Sequence, residues 1–87
     1  MDVRVQPTPN PNARRFLLDR PVQAEPRGRS FKDPATAADP LAARLLSVDG
    51  VAAVMLLPGS VTVTKEPAAT WEEVEPRIRE TLEEHFT

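Results

Sequence analysis

The chain has no cysteine, no tyrosine, one tryptophan and a single histidine among its 87 residues. Without cysteine it can form neither a disulfide framework nor a thiolate metal site, and it has no thiol nucleophile. His85 alone cannot make a His-rich zinc site. It is also the only side chain whose intrinsic pKa lies near neutrality, and it sits at the fraying end of the chain. Ser30, Ser47 and Ser60 have no base nearby in sequence, so no nucleophile–base pair is legible. Glycine is scarce, at 3 residues, and no G-x-x-x-x-G-K phosphate cradle occurs. No apolar run approaches the ~18 residues of a membrane-spanning helix. Arg4, Arg14 and Arg15 stand among prolines with no apolar stretch between them, which is not the pattern of a secretory signal. These absences exclude most enzyme and metalloprotein classes. The expectation is a non-enzymatic cytoplasmic protein with no cofactor and no membrane segment.

What is present suffices for one domain spanning residues 1–87. Leu, Ile, Val and Phe together number 21 of 87. This lies above the roughly 20% below which chains stay disordered. A chain of this length buries roughly 60–65% of its unfolded surface, enough for a single core. Charge is unevenly placed. Residues 1–32 hold seven bases and three acids, and residues 33–87 hold four bases and ten acids.

Val3 and Val5 alternate with polar residues as in a half-buried strand. Pro7, Pro9 and Pro11 then fix φ at every second position and remove three donors, so residues 6–12 form a stiff loop. Asn10 and Asn12 can bond nearby backbone in this loop. Arg14 to Leu18 reads as a second strand with Phe16 and Leu18 on one face. Residues 20–30 read as loop, and Ser30 to Lys32 as a short third strand. Asp39-Pro40 opens a helix, with aspartate at the cap and proline at the first position. Its stripe is Leu41, Leu45 and Val48, widened by Leu46, and Gly50 closes it. Val51 to Leu57 is apolar throughout and predicts a strand buried on both faces. Pro58-Gly59-Ser60 joins it as a hairpin to Val61–Thr64, which alternates valine and threonine.

Thr70 and Glu73 match a T-x-x-E capping box before a helix striped by Trp71, Val74, Ile78 and Leu82, with His85 or Phe86 continuing it. Pro76 leaves two starts open: one helix from Trp71 carrying an internal proline, or a separate turn followed by a helix beginning at Pro76. The predicted architecture is α+β, a two-layer sandwich in the order β-β-(β)-α-β-β-α. It has a mostly antiparallel sheet of four to five strands and two helices on one face. The second sheet face is partly polar and is a candidate partner surface.

The glutamates of the last helix (Glu72, Glu73, Glu75, Glu80, Glu83 and Glu84) read as a solvated face and a poor preorganised iron site. Nucleic-acid binding through the basic N-terminal half is the weaker reading. The strands at 51–57 and 61–64 lack aromatics for base stacking, and the pI is near 5.3. A protein-binding module remains. Its candidate contact residues are Asn10, Asn12, Arg14 and Arg15, at the edge of a loop that loses little entropy on binding.

Gln6 to Ala13 (Q-P-T-P-N-P-N-A), with Phe16 and Asp19-Arg20-Pro21-Val22, resembles the opening of the Nfu/NifU N-terminal domain family. The resemblance continues at Arg29-Ser30-Phe31, Asp39-Pro40-Leu41-Ala42, Gly50-Val51 through Val54, Val61 to Lys65, and Trp71-Glu72-Glu73 with Pro76. T-P-N-P-N is the specific part. The sequence departs from the pattern at Leu57 and Ser60, where relatives tend to have glycine and an aromatic residue. In that family the domain commonly precedes a second one carrying C-x-x-C, and paired subunits hold an iron–sulfur cluster for delivery. With no cysteine, this chain resembles the free-standing form and cannot supply thiolate ligands. The resemblance therefore implies an accessory domain of iron–sulfur cluster assembly or transfer, with an iron–sulfur carrier or apo-client protein as partner. It assigns no site residues.

Overall fold

Val3 and Val5 point toward the core from an edge strand, β1 (Val3–Pro7), in a computed structural model that describes residues 2–87. Pro7 ends this strand, where its missing N–H costs no ladder bond because β1 lies at the sheet edge. β2 (Ala13–Leu18) buries Phe16 completely and Leu18 in part. β3 (Arg29–Phe31) begins one residue before the expected strand and seats Phe31 half-buried against the core.

Helix α1 (Pro40–Leu46) is capped as its sequence dictates. Asp39 is extended, and its Oδ1 accepts from the N–H groups of Leu41 (2.9 Å) and Ala42 (3.3 Å). The helix ends earlier than its stripe predicts. Ser47 caps it, and Val48 reaches the core from the following turn. Gly50 then turns the chain at φ +92°, in the left-handed region that favours glycine.

β4 (Val51–Leu57) and β5 (Ser60–Lys65) form a hairpin whose loop is the two residues Pro58 and Gly59; Ser60 belongs to β5 and is buried. β4 is not buried on both faces, as an apolar run would be in a doubly covered sheet. Val51, Val54 and Leu56 face the core, while Met55 is 39% exposed. Val51 and Val54 share a face despite odd spacing because the register shifts between Val51 and Ala53, and one extra residue reverses the alternation.

The sheet order is β1-β2-β5-β4-β3, antiparallel throughout. Helix α2 (Trp71–Phe86) runs unbroken through Pro76, which settles the two starts in favour of Trp71. The expected capping box does not form. Thr70 has the extended geometry of a cap, but its side chain makes no capping bond. Val74, Ile78 and Leu82 are buried; Trp71 and Phe86 pack against the core at the two ends. One apolar cluster joins both helices to the inward faces of the strands. The other sheet face carries no helix, which gives the two-layer α+β sandwich its open side.

Candidate functional site

The proline loop is held from inside by its polar residues. Thr8 Oγ1 accepts from the Asn10 N–H (3.2 Å), and its own proton is shared between the carbonyls of Asn10 (2.9 Å) and Ala13 (3.0 Å). Asn10 Oδ1 accepts from the Asn12 N–H at 2.9 Å, an Asx turn. The Ala13 N–H closes the loop on the Asn10 carbonyl at 3.0 Å.

The loop is also bolted to the rest of the fold. Lys65 is buried, and its ammonium donates to Asn12 Oδ1 (3.1 Å) and the Glu66 carbonyl (3.3 Å). The Lys65 N–H donates to the Asn12 carbonyl at 2.7 Å. Both oxygens of Asn12 therefore serve one residue of β5. At the other end, the Trp71 indole N–H donates to the Pro11 carbonyl at 3.0 Å. This bond pins the first residue of α2 to the loop and does the positioning that the Thr70 cap does not. Phe16 lies under the same indole, with ring centroids 6.5 Å apart.

The four residues singled out from sequence separate into two pairs. Arg14 faces the helix layer. Its Nη1 lies 2.7 Å from Glu75 Oε1 and its guanidinium stacks 4.9 Å from the Trp71 ring centroid. Asn12 is half-buried and bound to Lys65. These two hold the fold. Arg15 points the other way, onto the open sheet face, opposite Gln6 on β1 and Thr62 on β5. It is exposed and makes no ion pair among the described residues. Asn10 is exposed at the loop tip. Alternation with Phe16 and Leu18 already places Arg14 on the core face and Arg15 on the other; what the sequence did not show is that Glu75 and Trp71, some sixty residues on, would meet Arg14 there.

Two further features were missed from sequence. Trp71 reads as a stripe residue, yet it is the hub joining loop, strand and helix. Lys65 reads as a strand-end charge, yet it is 8% exposed. At the far end of β1 and β2, Asp2, Arg4, Leu17, Leu18 and Asp19 line a groove of about 370 Å³. The Arg20 guanidinium, at 3.1 Å, and the Asp2 N–H hold the Asp19 carboxyl below the usual aspartate range. Among the described residues no group of three or more His, Cys, Asp or Glu could hold a metal ion, and no helix is long and apolar enough to cross a membrane.

The described residues thus present a loop braced from inside and from β5 and α2, and an open sheet face on which Arg15 has no ionic partner. The chain belongs to the family described as scaffold protein Nfu/NifU N terminal, whose pattern it matches over residues 3–87. It is 39% identical to a human protein named NFU1 iron-sulfur cluster scaffold homolog, mitochondrial, with 99% of this chain and 34% of that protein covered. It is 35% identical to NifU-like protein 4, mitochondrial, of Arabidopsis thaliana, with 90% of this chain and 28% of that protein covered. A Staphylococcus haemolyticus protein named conserved virulence factor C is 30% identical over 92% of this chain and 21% of its own length. The chain thus spans about a third or less of the length of these curated relatives. Among solved structures, a crystal structure of a Staphylococcus aureus protein superposes with TM-score 0.79 at 24% identity, covering 94% of this chain and 99% of that one. A Staphylococcus epidermidis protein solved by NMR gives TM-score 0.63 at 23% identity, covering 98% and 99%. These likenesses concern the fold.

Proposed function

We propose that this domain is a non-enzymatic accessory module of iron–sulfur cluster assembly or transfer, acting by docking onto an iron–sulfur carrier or apo-client protein. Family membership over residues 3–87 is the observation that carries this reading. The names of its human and Arabidopsis relatives point the same way. The chain has no cysteine, so its part in such a process would be played by its surface and not by cluster ligation. Of the four contact residues expected from sequence, Arg15 is free and Asn10 offers its amide NH2 while its Oδ1 holds the Asx turn; Asn12 and Arg14 are engaged within the fold.

The test is anaerobic affinity capture from host lysate, with mass spectrometry and a titration of each purified candidate. Recovery of a C-x-x-C scaffold or of apo iron–sulfur enzymes, followed by direct binding in the titration, supports the reading. Recovery of mainly nucleic acid, released by salt, overturns it in favour of a nucleic-acid-binding regulator.

A further inference from the structure

None of the five strands contains an aspartate or glutamate, yet together they carry Arg4, Arg14, Arg15, Arg29 and Lys65. The three on the helix side are all answered from within. Arg14 meets Glu75 at 2.7 Å, Arg29 meets the Asp39 cap at 2.8 Å, and Lys65 meets Asn12 at 3.1 Å. On the open side the pairing is at most loose. Arg15 has no ionic partner among the described residues, and Arg4 lies 4.0 Å from Asp2 with both side chains largely exposed. Six of the eight glutamates meanwhile sit on α2, on the opposite layer. The fold thus separates charge, pairing the inward cations and leaving the outward ones for solvent.

Beside those cations the same face turns apolar. Arg15 pairs with Thr62, and Thr62 with Met55, whose side chain is 39% exposed. In the next row Arg4 pairs with Leu17, then Ser60, then Leu57. Strands lie roughly 4.8 Å apart, so Arg15 and Met55 are separated by about 10 Å across the sheet.

We infer that the open sheet face is a docking surface for an acidic, amphipathic segment of a different protein. A carboxylate of that segment would seat on Arg15, and an aliphatic side chain about 10 Å away would seat on Met55 and Leu57. That separation is about seven residues along a helix at 1.5 Å per residue. Charge complementarity selects this occupant: the face offers arginines with no strand acid to repel a carboxylate, and an apolar end to anchor its neighbour. The absence of outward aromatic residues on the strands leaves nothing on which nucleic-acid bases could stack. The assignment deepens the docking function proposed above by giving the partner's chemistry, and it rests on that reading.

The experiment is an NMR titration of the isotope-labelled chain with a synthetic helical peptide carrying Glu and Leu seven residues apart. A peptide of the same composition in scrambled order and a short DNA oligonucleotide are run beside it. The expected result is salt-sensitive shifts at Arg15, Thr62, Met55 and Leu57, with the ordered peptide preferred. Arg15→Glu and Met55→Asp should each weaken binding by about tenfold or more, the scale of a lost interfacial charge or anchor contact. Arg77→Glu, an equal charge reversal on exposed α2, should leave it unchanged. Shifts centred on α2 or on the 8–12 loop, equal losses for Arg15→Glu and Arg77→Glu, or tighter binding of DNA would each overturn the assignment. So would concentration-dependent sedimentation abolished by Arg15→Glu, which would put a second copy's acidic helix on the face. If a captured iron–sulfur partner binds Arg15→Glu and Met55→Asp at full strength, the face is wrong and the accessory function stands. If the peptide binds as expected and no iron–sulfur protein is captured, the face stands and the function fails.

Discussion

Arg14 and Arg15 are adjacent, carry the same charge and have unrelated tasks. Arg14 lies between Glu75 and the Trp71 ring, and Arg15 meets solvent on the far side of the sheet. Reversing Arg14 would set two carboxylates together at the start of α2 and would damage the fold, so it cannot test docking. Arg15→Glu can. The same separation of tasks applies at Trp71. Trp71→Phe keeps a ring over Phe16 and removes the donor to the Pro11 carbonyl. A cost of about 1 kcal/mol in urea unfolding is expected, the usual net worth of one hydrogen bond. Gly50 has the least room of the three glycines. A Cβ there would stand 2.8 Å from Val74 Cγ2 and 3.0 Å from Ala69 Cβ, on a backbone at φ +92°. Gly50→Ala is therefore expected to cost on the order of 2–3 kcal/mol by the same assay, from strain and clash together.

The two helices are started by different devices. α1 uses its aspartate, which both caps the helix and receives Arg29. α2 uses the loop, through Trp71 and Pro11. Asp39→Ala should then lose about 1–2 kcal/mol, as a working cap does, and Thr70→Ala only a few tenths. Equal losses in thermal or urea unfolding would mean that Thr70 caps after all. Pro76 is exposed and stands where an N–H would reach the Glu72 carbonyl. Pro76→Ala restores that donor and should stabilise α2 by about 1–3 kcal/mol. Most of these elements were legible in the sequence. Asp39-Pro40, Pro58-Gly59 and the valine–threonine alternation of β5 carry their signals within a few residues. The misreadings had longer-range causes. The apolar run of β4 looks doubly buried because its hydrophobicity says nothing of whether a second layer covers the sheet. The T-x-x-E match at Thr70 says nothing of a competing tether sixty residues away.

At the scale of the whole molecule, Glu75 and Asp39 answer the inward arginines, Asn12 answers Lys65, and Arg15 on the other face is left without an acid among the described residues. The acid side of the stability profile depends on a separate pair in the turn after β2. Arg20 holds Asp19 below the usual aspartate range, so the folded state binds that proton less readily than the unfolded chain. Its contribution is present above the ordinary aspartate pKa and is lost as pH falls through the lowered folded value. Asp19→Asn should flatten the stability–pH curve in that window alone, and an unchanged curve would remove the Asp19–Arg20 pair from the account.

The sequence by itself determined the α+β class, the element order, the helix stripes and the family, because each is written in local spacing, in turn chemistry or in a contiguous motif such as T-P-N-P-N. It also excluded thiolate chemistry within this chain, because composition alone decides that. Only the tertiary structure decided that Arg14 has Glu75 to meet while Arg15 has no acid, that Asn12 is consumed by Lys65, and that Trp71 is a hub. Those are facts of register and of contacts made across more than fifty residues. Alternation names the face that is buried, but the partner that meets a given side chain on it lies too far along the chain for local spacing to show.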